Sequence, residues 1–183
     1  ARLLPLPLLP LVTLQRCMDA LPQTSWYLEH TLLDWERMTL FREGPVYVGH
    51  ERMVPKIGDQ RPVTVNGQTL LMVRGPGGVE VFHNVCRHRQ ATLVTDPSNA
   101  RHIQCPFHRW TYDLEGSLLG APHFPTQPSC RDLLKVPTTT WNGLVLAGPA
   151  AFRKDFSSWA PTDVFDFSRY TFGNVVEMEC RQN

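Results

Sequence analysis

Two short segments decide how this chain folds and what it can bind: Cys86-Arg87-His88 and Cys105-Pro106-Phe107-His108. Each offers one thiol and one imidazole. Residues i and i+2 of an extended segment point to the same side, so Cys86 and His88 can face one target. The first and fourth residues of a β-turn approach within about 7 Å, and a proline in second position favours that turn. Cys105 and His108 can therefore face the same target, and the sequence predicts two loops that close on a metal centre.

Two Cys and two His suit two kinds of metal group. Zinc takes Cys₂His₂ sets, usually as Cys-x₂₋₄-Cys and His-x₃₋₅-His pairs, whereas both pairs here are mixed. A [2Fe–2S] cluster with two Cys on one iron and two His on the other is the Rieske arrangement. The spacing resembles the Rieske signature, and a structural zinc site is the remote alternative. The predicted metal ligands are Cys86, His88, Cys105 and His108.

The flanking residues resemble the Rieske domain of ring-hydroxylating oxygenase large subunits. Residues 84–89, 105–113, Gly116 and 120–122 carry the resemblance, which extends outward to residues 48–50, 54–59 and 141–143. It covers residues 34 to 147 well and implies an all-β fold, an antiparallel β-sandwich that carries a [2Fe–2S] cluster. Short strands at close spacing and 16 prolines agree with such a fold, because proline disfavours long helices.

Four further side chains beside the motif are expected to shield the cluster or to hydrogen-bond near it: Trp110, Tyr112, Arg89 and Arg109. We expect Tyr112 to donate its hydroxyl to a ligand sulfur, with plain core packing as the alternative for Tyr112 and Trp110. Respiratory Rieske proteins place a serine where this chain has Trp110. Since fewer donors to sulfur lower the potential, we predict a value near the low end of the Rieske range, about −150 mV.

The chain departs from the family pattern at two positions, where glycine is frequent and Gln90 and Arg109 stand here. Glycine permits a positive φ and a close approach of the backbone. With side chains at these two positions, the sequence does not predict the backbone conformation of either loop or its hydrogen bonds to sulfur. The choice of ligands is not affected.

The chain of 183 residues is expected to have three parts. Residues 1–44 form an N-terminal arm with one or two helices, near residues 11–21 and 32–41. Residues 45–150 form the Rieske domain, in which Asn66-Gly67 predicts a hairpin turn and two strands surround residues 141–143. Residues 151–183 form a tail that leads into a catalytic domain absent from the chain.

The resemblance implies an electron-transfer function within an oxygenase. A reductase or ferredoxin would supply electrons, His108 would be their exit, and a mononuclear non-heme Fe(II) in the missing domain would receive them. Only His123 follows His108, whereas that iron needs two His and a carboxylate. The 183-residue chain alone is therefore expected to be catalytically inert, as the Rieske half of a longer protein. The alternative is a standalone Rieske ferredoxin.

Composition limits the partners and the compartment. With 18 Lys+Arg against 17 Asp+Glu, the chain lacks the basic excess of a nucleic-acid binder. No apolar run reaches the roughly 18 residues of a membrane span. Five cysteines without a disulfide spacing pattern favour a reducing compartment, so we expect a cytoplasmic protein. The family implies a homotrimer for the full-length protein and contact with a catalytic domain of the same or a neighbouring subunit.

Overall fold

The computed structural model describes residues 24–38, 45–126, 128–148 and 173. The chain divides into two compact units, Ala1–Thr39 and Leu40–Asn183. In the first unit, a 3₁₀ turn at Thr24–Tyr27 is followed by helix α1, His30–Glu36. The helix predicted near residues 32–41 thus begins two residues earlier than expected. The helix predicted near residues 11–21 and the tail strand predicted at 175–180 lie outside the described residues.

The described part of the second unit is built from antiparallel strands, which confirms the all-β prediction. Its sheets have the orders β1-β10-β9, β4-β3-β2-β5 and β6-β7-β8. The strands are β1 (Val46–His50), β2 (Asp59–Val65), β3 (Gln68–Gly75), β4 (Gly78–His83), β5 (Ser98–Asn99), β6 (Ile103–Gln104), β7 (Thr111–Tyr112), β8 (Leu118–Gly120), β9 (Thr138–Trp141) and β10 (Leu144–Ala147).

Two Asn-Gly pairs form the tight turns that the sequence predicts. Asn66 and Gly67 join β2 to β3 with φ values of 49° and 76°. Asn142 and Gly143 join β9 to β10 with φ values of 49° and 83°. Two successive positive φ values define a type I′ turn, whose twist matches that of the flanking strands. These turns fix the register of both hairpins.

Strand β3 is buried on both faces, which explains its apolar run at residues 70–73. Leu70 and Met72 pack into one core with residues of β1 and β10, including Val145. Leu71 and Val73 point to the opposite face and pack into a second core with residues of β6, β7 and β8. The four-stranded sheet therefore lies between the two smaller sheets. Burying each such side chain stabilises the fold by about 1.5–3 kcal/mol.

The second core is the one that supports the predicted metal ligands. It contains Cys86, Cys105, Trp110 and Tyr112, each at most 1% exposed. The loops that carry the motif thus close one end of a packed interior. No helix in the described ranges is long and apolar enough to cross a membrane.

Candidate metal centre

The first ligand loop, residues 86–91, is a closed turn. The Cys86 N–H donates to the Ala91 carbonyl (2.8 Å), and the Cys86 carbonyl accepts from the Gln90 N–H (3.0 Å). Residues 87–89 form the turn between them. The expectation of an extended Cys86-to-His88 segment is therefore wrong, because hydrogen bonds between Cys86 and the end of the loop curl this stretch.

The second ligand loop, residues 105–110, has the same backbone frame. The Cys105 N–H donates to the Trp110 carbonyl (2.8 Å), and the Cys105 carbonyl accepts from the Arg109 N–H (3.1 Å). The predicted turn is present, although its closing bond spans four residues rather than three. Each loop thus begins with a cysteine held in equivalent bonds, while the histidine stands third in one loop and fourth in the other.

Both loops turn through a left-handed residue where the family frequently has glycine. Gln90 has a φ of 58° and Arg109 a φ of 56°. A non-glycine residue costs roughly 1–2 kcal/mol in this conformation. The loops therefore keep the backbone that glycine would favour, at the expense of strain at two exposed positions.

The two predicted cysteine ligands lie together in the core as free thiols. Burial raises the pKa of the Cys86 thiol, and the neighbouring Cys105 thiol raises it further; hydrogen bonding from Tyr112 and from the backbone at His88 acts against this. A buried pair of this kind resists ionisation unless a cation is nearby. Two adjacent buried cysteines, once ionised, are ligands typical of Zn²⁺ and of iron–sulfur clusters.

Tyr112 is positioned to act on the Cys86 sulfur. Its hydroxyl oxygen lies 3.5 Å from Cys86 Sγ and accepts the Arg87 N–H at 3.1 Å. Because Arg87 donates to the oxygen, the hydroxyl proton is available to point at the sulfur. The pKa of Tyr112 is strongly raised, mainly by burial and then by the Cys86 bond. Tyr112 therefore stays protonated and can donate to a thiolate.

The two predicted histidine ligands form a second pair. The ring centroids of His88 and His108 are 4.8 Å apart. His88 Nδ1 is buried and has no hydrogen-bond partner, which is the state expected of a nitrogen reserved for a metal. Burial lowers the pKa of His88, and the charges of His108, Arg89 and Arg131 lower it further. A neutral imidazole is the form that binds a metal ion.

Aromatic rings cover the His88 side of the site. The Trp110 ring stacks on His88 at 4.9 Å with an interplanar angle of 5°. Phe124 packs edge-on against both His88 (5.7 Å) and Trp110 (5.4 Å). His108 contacts the Phe107 ring, which is itself 75% exposed. Both histidines are half-buried, and the ring that contacts His108 is more exposed than the two rings that contact His88.

The predicted arginines lie on the rim rather than against the sulfurs. Arg89 and Arg109 are exposed, and Arg109 Nη1 donates to Gln104 Oε1 at 3.4 Å. Arg131, which the sequence reasoning missed, donates to the Arg87 carbonyl at 3.2 Å and adds charge near His88. Phe124 was missed too, because it lies in a loop with no spacing that relates it to the motif.

The donor set fits a binuclear iron–sulfur group. Cys86 and Cys105 offer sulfur, and His88 and His108 offer nitrogen. Each pair takes one side chain from each loop. A [2Fe–2S] cluster needs two protein ligands on each iron. In the described part of the chain, no three His, Cys, Asp or Glu side chains meet around a single ion position.

Comparison with known proteins gives one family and several relatives. The Rieske [2Fe-2S] domain matches residues 44–138. The putrescine 2-hydroxylase of Ralstonia nicotianae is 44% identical over 159 residues, covering 87% of this chain and 43% of that protein. The putrescine 2-hydroxylase of Bordetella bronchiseptica is 34% identical, covering 87% of this chain and 40% of that protein. The chain thus spans less than half the length of these relatives.

Solved structures share the fold. The apo form of the quaternary ammonium Rieske monooxygenase CntA matches with a TM-score of 0.64 at 23% identity, over 75% of this chain and 42% of that one. A naphthalene 1,2-dioxygenase matches with a TM-score of 0.61 at 23% identity, over 76% and 35% of the two chains. At this level of identity the two likenesses concern the fold alone.

Proposed function

The chain belongs to the Rieske [2Fe–2S] domain family, and from that premise we propose that Cys86, His88, Cys105 and His108 hold a Rieske cluster. The observation that carries the proposal is the pairing within the site: two buried thiols beside each other, and two imidazoles 4.8 Å apart. The unpartnered Nδ1 of His88 supports the same ligand set.

When bound, such a cluster supplies a centre that accepts and releases one electron at a time. The two cysteines would hold one iron as thiolates, with the Tyr112 hydroxyl donating to the Cys86 sulfur. Trp110 and Phe124 would keep water from the His88 side. His108, beside the exposed ring of Phe107, would be the electron exit.

We propose that the domain serves an oxygenase large subunit. Several relatives carry such names, including the glycine betaine monooxygenase oxygenase subunit of Chromohalobacter salexigens, 35% identical over 104 residues. A reductase or ferredoxin would deliver electrons near the exposed arginines of the rim. A mononuclear non-heme Fe(II), held outside this chain, would receive them from the same or a neighbouring subunit of a homotrimer. We place the protein in the cytoplasm, since its described cysteines are free thiols.

The arm, domain and tail keep the boundaries predicted from the sequence, 1–44, 45–150 and 151–183, as part of this proposal. For the substrate we propose an aliphatic diamine, because the two putrescine 2-hydroxylases each match 87% of this chain. The test is turnover by the full-length oxygenase with its reductant and O₂. Hydroxylation of putrescine is expected, and oxidation of an aromatic hydrocarbon in its place would contradict the diamine assignment.

The function of the domain itself is tested by metal content and redox titration. We expect two irons and two acid-labile sulfides per chain, no zinc, and a midpoint potential near the low end of the Rieske range, about −150 mV. One zinc per chain without sulfide would contradict the electron-transfer function and support the structural zinc site instead. Efficient electron delivery to unrelated acceptors, with no oxygenase partner, would favour the standalone ferredoxin.

A further inference from the structure

We propose that Asn84 is a positioning residue for the first ligand loop: its side-chain amide replaces a missing strand partner and fixes where Cys86 and His88 stand. The proposal rests on the proposed function, because it assumes that both loops hold one cluster. It concerns a residue that is not a ligand and that carries no charge.

The two ligand loops stand on different bases. The second loop closes a hairpin, in which β6 and β7 pair at Gln104↔Thr111 and Ile103↔Tyr112. Among the described residues, the segments that enter and leave the first loop share only the isolated bridge Val85↔Thr92. A single bridge leaves the two chain segments under the first loop without a further pair of backbone bonds.

The Asn84 side chain supplies that further pair. Its Nδ2 donates to the Val94 carbonyl (2.7 Å), and its Oδ1 accepts the Val94 N–H (3.1 Å). In a hydrogen-bonded pair of an antiparallel ladder, each residue donates its N–H to the carbonyl of the other. The amide therefore imitates a strand rung next to the bridge.

Asn84 is also fixed in place by its backbone. Its N–H donates to the Thr69 carbonyl (3.2 Å) of β3, and its carbonyl accepts the Leu93 N–H (3.4 Å). The residue is 1% exposed, and a buried amide that lost its partners would be costly. Asn84 thus links the segment before the first loop both to β3, through Thr69, and to the segment after the loop, through Val94.

The second loop shows why an amide is needed only once. The residue two places before Cys86 is Asn84, and the residue two places before Cys105 is Ile103. Ile103 is fully buried and apolar, since the hairpin already satisfies the backbone there. Equivalent positions therefore carry an amide where the ladder stops and a core side chain where it continues.

The test compares Asn84→Leu and the milder Asn84→Ser with Val145→Ala, which truncates the core on the far face of the central sheet. Each full-length chain is loaded with the cluster, and cluster release to a chelator is timed well below each variant's unfolding temperature. Both Asn84 variants are expected to release the cluster at least tenfold faster, with a broadened reduced EPR signal. Val145→Ala should lower the unfolding temperature and change release less than twofold.

Hydrogen exchange gives a readout that does not need the cluster. The Val94 amide should exchange at least tenfold faster in both Asn84 variants and unchanged in Val145→Ala. Release rates that follow the unfolding temperature alike in all three variants would overturn the positioning role. Absence of an iron–sulfur signal from the wild-type protein would contradict the proposed function instead. The exchange of the Val94 amide would still report on the two hydrogen bonds between Asn84 and Val94, which we call the clamp.

Discussion

The two ligand loops have the same backbone and different surroundings. In each loop, the cysteine carbonyl accepts a hydrogen bond from the N–H of the residue four places later, and the cysteine N–H donates to the carbonyl of the residue five places later. The residue four places after the cysteine has a positive φ in both loops. The first loop carries its histidine under Trp110, and Tyr112 contacts its sulfur. The second presents its histidine beside the exposed Phe107. The backbone therefore places both cysteines in the same way, whereas the aromatic rings differ: a buried Trp110 contacts His88, and an exposed Phe107 contacts His108.

Replacing the cysteine of either loop should have the greatest effect on cluster incorporation, and the effect should be the same in both loops. Cys86→Ser or Cys105→Ser should abolish cluster incorporation, because a hydroxyl replaces a thiolate on the same iron. Cys130→Ser is the matched control, since Cys130 is a free but exposed cysteine. Iron and sulfide counts give the readout. Normal incorporation in either Cys86 or Cys105 variant would contradict the ligand set.

The second prediction concerns the Trp110 ring, which covers the histidine of the first loop, and its contribution to the free energy of unfolding. Trp110→Ala removes a side chain that is 1% exposed and stacks on His88, so we expect the free energy of unfolding to fall by about 3–5 kcal/mol. Trp35→Ala, at a site 39% exposed, should change it by less than about 1 kcal/mol. Denaturant melts of the apoprotein measure both values. A small loss at Trp110 would show that the ring does not support the first loop.

A smaller effect should appear in the potential. Tyr112→Phe removes the donor to the Cys86 sulfur, and the reduced cluster, being more negative, gains more from such a bond than the oxidised one. If the difference is about 1 kcal/mol, the potential should fall by roughly 40 mV for one electron. Tyr47→Phe, on an exposed ring, should leave it unchanged. An unaltered or higher potential in Tyr112→Phe would rule out this donation.

The smallest effect should again be equal in the two loops. Gln90→Gly and Arg109→Gly remove a side chain at a position with a positive φ and so relieve backbone strain. This gain should outweigh the entropic cost of the greater freedom of glycine in the unfolded chain. Each should stabilise the apoprotein by about 0.5–1 kcal/mol. Arg89→Gly, at a neighbouring position without a positive φ, should destabilise it by a similar amount. Unfolding temperatures provide the measurement, and destabilisation by Gln90→Gly would contradict the strain at that loop.

Much of the fold could be predicted from the sequence, because its signals are local. Asn66-Gly67 and Asn142-Gly143 marked two hairpins by the conformations they permit, and the apolar run at 70–73 matches a strand buried on both faces. The ligand candidates also followed from spacing alone. Each of these features depends on residues close together in the chain.

What the sequence did not reveal depends on contacts between distant residues. The curled first loop was predicted as extended, since the bond from Gln90 to Cys86 has no sequence signal. Phe124 and Arg131 reach the site from a loop beyond β8, and the clamp from Asn84 to Val94 needs the tertiary path of both segments.

Low-temperature EPR of the dithionite-reduced protein, combined with nitrogen hyperfine spectroscopy, would show directly whether the two loops bind one Rieske cluster. We predict a Rieske-type signal of low average g with coupling to two imidazole nitrogens, and we expect His88→Ala and His108→Ala to lose it. A signal of the four-cysteine type, without nitrogen coupling, would contradict the pairing of the two loops around one cluster.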